Sequence, residues 1–157
     1  MPDVRWITTG LLDEVADEAR AAARRRKNRN LHRMEDPVHR LLNAVEPGTY
    51  IRPHRHLAPP KSETAIVLAG RIGMIVFDDA GNVTTTAVLD AEGGVRGADI
   101  EPGAWHTFVA LAPGSVFFEA KPGPYVAPGP ADLAAWAPAE GEPDAEAAER
   151  GFRALFQ

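Results

Sequence analysis

Between residues 38 and 125 the apolar residues come in short runs, at 41–45, 49–54, 64–68, 72–77, 83–89, 106–111 and 116–120, broken by turn residues. Runs this short cannot make amphipathic helices, which need roughly 10–12 residues of sustained 3.6-residue periodicity, whereas strands of a barrel or sandwich fit them. The 14 Gly and 14 Pro cluster between the runs and supply the turns. The sharpest turn signal is Asp78-Asp79-Ala80-Gly81-Asn82, which predicts a hairpin joining 72–77 to 83–89. Gly93, Gly94 and Gly97 mark a further loop. The pattern predicts a mainly β protein, a single barrel.

The flanks differ in composition. Leu11, Leu12, Val15, Ala19 and Ala22 recur at helical spacing among good helix formers, which predicts a helix over 11–28. After Pro128 the chain is rich in Ala, Pro and Glu, and 144–156 reads as a short last helix that packs Phe152, Leu155 and Phe156 on the barrel. The expected division is therefore a helical cap at 1–37, a barrel at 38–127 and a tail with a helix at 128–157. At 157 residues one compact domain accounts for the whole chain.

Charge and cysteine content narrow the chemistry. The net charge is −5, yet Arg20, Arg24, Arg25, Arg26, Lys27, Arg29 and Arg33 fall in a stretch without an acid. On an Ala-rich helix such a cluster reads as a solvated face and a helix end whose cations complement the dipole, in preference to a nucleic-acid surface. No Cys is present, so a transition metal would have to be held by imidazole and carboxylate. The acidic first residues do not resemble a secretory signal and no run approaches a membrane span, so a cytoplasmic protein without membrane contact is expected.

His54 and His56 alternate on a segment read as a strand, so both imidazoles can reach one ion while Arg55 points away. Glu63 opens the run 64–68 and can close the site with its carboxylate. A third imidazole comes from His106, placed by the Pro102-Gly103 turn at the head of the run 106–111. Tyr50 and Arg52 share the parity of His54 and His56, which makes them candidate cavity residues for a substrate. Lys61, on the loop before Glu63, is a candidate cation for an anionic ligand. His32 and His39 lie outside this motif and read as structural or exposed. Glu119 reads as half of a cross-strand pair, with a buried acid near the metal as the alternative. Trp105 should face away from His106, toward core or interface. No residue is assigned a catalytic role.

These residues resemble the two motifs of the cupin superfamily. Gly48, five residues, His54-x-His56, a spacer, Glu63, six residues and Gly70 follow the first motif, with a spacer of six where three or four is usual. Pro102-x-x-x-His106 follows the second, with Ala110 where Asn is common and Gly97 one residue closer to Pro102 than usual. The chain also resembles the WbuC-type cupin fold metalloproteins. The similarity is carried by Asn28 to His32, by 39–50 (His-Arg-Leu-Leu-Asn-Ala-Val-Glu-Pro-Gly-Thr-Tyr), by Pro53 to His56 and by 59–63 (Pro-Pro-Lys-Ser-Glu). It continues in Pro102 to Thr107, Phe118 to Tyr125 and Ala135 to Pro138. The longer spacer is a feature of that family.

The resemblance implies a cupin barrel, that is, a jelly roll or double-stranded β-helix, and one divalent ion (Zn, Fe, Mn or Ni) on His54, His56, Glu63 and His106. It also implies a link to surface-polysaccharide metabolism. Three imidazoles and one carboxylate leave open positions on an ion, so a working site is expected. One reading is an enzyme, a metal-dependent isomerase, hydrolase or oxygenase, on a small sugar-like or carboxylate metabolite, with a nucleotide sugar among the candidates. The other is a non-catalytic module that holds such a ligand. A purely structural ion is disfavoured, because the apolar strands supply enough core without one. A homodimer through edge strands or terminal segments is also expected.

Overall fold

The computed structural model describes residues 3–157. Two helices flank eight strands: α1 (Thr9–Ala21), β1 (Arg26–Asn30), β2 (Val38–Val45), β3 (Glu63–Ala69), β4 (Arg71–Phe77), β5 (Val83–Asp90), β6 (Gly97–Ile100), β7 (Trp105–Ala110), β8 (Ser115–Pro122) and α2 (Ala145–Ala154). The strands form an antiparallel sheet in the order β1-β2-β8-β3-β6 and a smaller one in the order β5-β4-β7. The mainly β architecture with a helix at each end agrees with the sequence reading, as does the hairpin, closed by Asp78 Oδ1 accepting from the amides of Ala80 and Asn82.

Alternation sorts the side chains into three apolar layers. Between the sheets lie Val45, Val67, Ile72, Met74, Phe108 and Phe117 with their neighbours. The opposite faces of β2 and β8 present Leu42, Ala44 and Val116 to Val15, Ala16 and Ala19 of α1. The outer faces of β4 and β7 present Ile75, Phe77 and Trp105 to Ala134, Ala137, Phe152 and Phe156. Every residue of β7 is consequently buried, with His106, Phe108 and Ala110 on the inner side and Trp105 on the outer. Gly73 permits the C-terminal contact: a Cβ there would stand 2.5 Å from the Phe156 ring.

Three local differences from the sequence reading have physical causes. The helix begins at Thr9, capped by Thr8 Oγ1 accepting from the Leu11 amide, and ends at Ala21 where 28 was expected. Ala22 is extended and Arg25 takes φ 54°, so the chain reverses and residues 26–30 pair with β2 as β1. The basic cluster is thereby divided between a helix end and a strand, and most of its members find acids. Arg24 and Arg26 share Glu140, Arg29 pairs with Glu14 and Glu18, and Arg20 pairs with Asp17. The glycine loop carries a second unforeseen strand, β6, in which Gly97 lies so close to β3 that a Cβ would fall 2.3 Å from the Ala65 carbonyl oxygen. The run at 49–54 is not a strand; only His54 is bridged, to His106 on one side and Leu133 on the other.

Candidate metal centre

His54, His56, Glu63 and His106 converge, each offering one ligand atom, and these atoms all lie within 4.8 Å of one another. Bonds of ~2.1 Å to a shared ion would set a maximum separation of about 4.2 Å, so the widest pair is at most about 0.6 Å too far apart. Glu63 Oε2 is 2.6 Å from His56 Nε2 and 3.7 Å from His106 Nε2.

The four side chains reach this point by three routes. His106 projects inward from β7, and Glu63 heads β3, where Ile100 of β6 is its register partner. His54 and His56 stand on an irregular segment strapped from outside by residues 131–134. The His54 amide donates to the His106 carbonyl and the Arg55 amide to the Asp132 carbonyl, while the Ala134 amide donates to the Pro53 carbonyl. Asp132 Oδ1 accepts from the amides of Leu57 and Ala58 at 3.0 and 3.2 Å. Arg55 turns away from the centre, as parity suggests, and lies over Trp105 at 4.3 Å from the ring centroid.

The donor set fits a cation. His54 Nδ1 lies 3.0 Å from the Arg52 carbonyl oxygen and His106 Nδ1 lies 2.9 Å from that of Ala104. A carbonyl only accepts, so both Nδ1 atoms carry the proton and both Nε2 atoms turn a lone pair inward. His106 Nε2 is fully buried and has no hydrogen-bond partner, a state that normally costs about 1–3 kcal/mol and that an ion would relieve. Burial, with the neighbouring His106, pushes the His54 imidazole down to about 3, so it stays neutral and able to ligate. Burial pushes the Glu63 carboxyl up, but its polar neighbours, His106 and His56 foremost, outweigh this and hold it well below the ordinary value.

A cavity of about 140 Å³ adjoins the cluster, lined by His54, Glu63, Asn43, Phe108, Glu119 and Lys121 among others. Tyr50 and Arg52 are not brought to it. The Tyr50 hydroxyl donates to the Pro138 carbonyl at 2.8 Å beside Phe152, and the Arg52 guanidinium donates to the Ala134 carbonyl at 2.6 and 3.0 Å. The parity that grouped them with the histidines requires a strand, and none forms there; Ile51 lines the cavity instead. Lys61 stands at a separate outer opening of about 80 Å³ beside His56 and donates to the Pro124 carbonyl at 2.9 Å. His39 is buried, stacked on His32 with ring centroids 3.9 Å apart.

Glu119 is a buried acid on the cavity wall, the alternative the sequence offered. Its ion pair is not cross-strand: it is made with Lys121, two residues along the same strand, while across the sheet it accepts a hydrogen bond from Asn43 Nδ2. Burial and the nearby Glu63 charge raise its carboxyl above the ordinary value. Lys121, conversely, is lowered by burial but raised overall by Glu119 and Glu63. Asn28, Asn43 and Lys121, all on the cavity, were not anticipated. The signal for Lys121 lies in the parity it shares with Phe117 and Glu119 on one strand.

The two sheets enclosing a His-His-Glu-His cluster define a cupin-fold protein. Its solved likenesses include KdgF from Halomonas sp., at 16% identity over 65% of this chain and 81% of that one with a TM-score of 0.50. Two others fall below that score: an oxalate oxidase in complex with glycolate (14% identity, 65% of this chain, 52% of that one, TM-score 0.49) and the Lactobacillus farciminis oxalate decarboxylase formate complex (19%, 63%, 28%, 0.48). The chain thus spans only about half or less of these two enzymes. Residues 7–89 match the family described as a domain of unknown function, DUF6016, and the chain belongs to that family. No curated protein matches it. No helix among the described residues is long and apolar enough to cross a membrane.

Proposed function

We propose that this chain is a metal-dependent cupin that binds one divalent ion through His54, His56, Glu63 and His106 and takes a small metabolite into the adjoining cavity. The observation that carries the reading is the buried Nε2 of His106, which lacks a partner and lies 3.7 Å from an ionised Glu63. A bound ion of this class supplies Lewis acidity toward a ligand oxygen. The chain's own residues do the rest: the Arg52 and Ala104 carbonyls fix the imidazole tautomers, and Asp132 holds the loop that carries two ligands. Phe108 and Phe117 keep one wall of the cavity dry, while Glu119 and Lys121 provide a titratable pair on the other.

Cavity size favours a small ligand over a nucleotide sugar, since about 140 Å³ falls below the ~300 Å³ at which pockets for drug-sized molecules begin. The WbuC-type strings extend the proposal to a small hydroxylated or carboxylate intermediate of surface-polysaccharide metabolism. Elemental analysis of protein purified without added metal is expected to find one ion per chain, and replacement of His54 by Ala to remove it. Stoichiometric metal retained in His54→Ala would sink the proposal.

A further inference from the structure

A groove of about 470 Å³ opens between the turn that joins α1 to β1, the turn at 47–48 and α2. Among the described residues it shares none with the lining of the cavity beside the cluster, and its volume falls within the ~300–1,000 Å³ of small-molecule sites. Four guanidinium groups, those of Arg24, Arg25, Arg150 and Arg153, line it against the carboxylates of Glu146 and Glu149. Three of the four are tied to acids. Arg24 uses Nε and Nη2 on Glu140, Arg153 uses the same two atoms on Glu149, and Arg150 uses Nη1 on Glu146. A guanidinium carries five N–H groups, so each keeps an Nη without a partner among the described residues.

Arg25 differs from these. Of the seven Arg and Lys residues between 20 and 33, it alone pairs with no acid among the described residues. Its side-chain hydrogen bond, to the Pro47 carbonyl, is 3.4 Å long. It is also the one described non-glycine residue with a positive φ, 54°, a conformation that glycine takes freely and residues with a Cβ rarely. Its stem runs beside Gly48, where a Cβ would stand 3.6 Å from Arg25 Cδ, and the Gly48 amide donates to the buried Glu149 at 3.2 Å. The fold makes little use of this guanidinium and would accept glycine in its place, yet the side chain lines a groove already rich in donors.

A guanidinium without a carboxylate, beside three that retain N–H groups, matches a phosphoryl group, whose oxygens accept several charge-assisted hydrogen bonds at once. We propose that this groove binds a phosphoryl dianion, free or carried on a small metabolite, with Arg25 as its principal contact. A polynucleotide is a poor match: the net charge of −5 repels a long polyanion, and Glu140, Glu146 and Glu149 stand among the four arginines. The site does not depend on the metal reading above.

The test is calorimetry with inorganic phosphate and with glucose 6-phosphate on the full chain, on Arg25→Gly and on Arg33→Ala. Wild type is expected to bind at least one of the two compounds. Arg25→Gly should bind it at least about tenfold more weakly, the lower end for a hydrogen bond to a charged group, with a Tm no lower than wild type because glycine suits φ 54°. Arg33→Ala, which removes an exposed cation outside the groove, should leave the affinity unchanged. Preference for the ester assigns the groove to a phosphorylated metabolite, and equal affinity assigns it to phosphate itself. No binding of either compound by wild type overturns the inference, and so does undiminished binding in Arg25→Gly, since the anion would then sit elsewhere, the metal centre included. Equal weakening in Arg33→Ala overturns it as general charge attraction, and a Tm of Arg25→Gly well below wild type overturns it by making the arginine structural. A DNA oligonucleotide bound more tightly than either small anion overturns it in favour of a polynucleotide.

Discussion

Two of the imidazoles and the third are held in opposite ways. His106 sits inside β7, a strand buried on both faces, and its position is set by the pairing of β7 with β4. His54 and His56 stand on a segment without regular strand pairing, fixed by backbone bonds and the Asp132 carboxylate reaching in from residues 131–134. The contrast shows that one cluster can combine an imidazole whose position comes with the barrel and imidazoles whose position is added afterwards. Mutations should therefore separate metal retention from stability on one side and couple them on the other.

The largest effect is expected where they are coupled. His106→Ala should abolish stoichiometric metal and also lower stability by about 2–4 kcal/mol, the range for truncating a buried side chain, read by elemental analysis and denaturant unfolding. His54→Ala should lose the metal with a clearly smaller stability change, and equal losses in the two variants would erase the contrast. Next, Asp132→Ala frees the Leu57 and Ala58 amides and should weaken metal affinity about 10–100-fold, as loss of a supporting interaction does, measured by chelator competition. Unchanged affinity would mean that the strap does not position the histidines.

Acid should act mainly on the strapped side. His54 is lowered to about 3 in the folded chain against 6.5 unfolded, so below 6.5 the unfolded state binds more protons. Its stabilising contribution is present above 6.5 and drains away as the pH falls toward 3. Glu63, held below 4.5, acts in the same direction at lower pH, its contribution being lost as the pH drops beneath 4.5. The Tm of metal-free protein is expected to fall between pH 6.5 and 4.5, and His54→Gln to flatten that slope. The smallest effect is expected at Tyr50→Phe, which removes one hydrogen bond to Pro138 at about 1 kcal/mol and should leave metal content untouched. A loss of metal there would bring Tyr50 back toward the site.

Much of this was legible from residue order because alternation and turn chemistry act locally. The hairpin at 78–82, the strand after Pro102-Gly103 and the outward face of Trp105 all follow from two or three adjacent residues. β1 was hidden because Arg-Lys-Asn-Arg-Asn has no apolar alternation, and pairing with β2 alone makes it a strand. β6 was hidden by being four residues long and beginning at a glycine. Tyr50 and Arg52 were misplaced because parity was carried through a segment that long-range bonds to the tail, not strand pairing, hold in shape. Glu119 was ambiguous because Phe117 and Phe118 are both apolar. α1 covers one face of β8 and the barrel fills the other, so composition does not say which side is inward.

The strap at 131–134 also bears on how such a protein can change over time. It grips the His54–His56 segment from outside and takes no part in either sheet, so alterations in the Pro-Gly-Pro stretch at 128–130 would tune how readily an ion is exchanged while leaving the stacking of the sheets intact. Affinity and architecture then become separately adjustable properties of one small polypeptide.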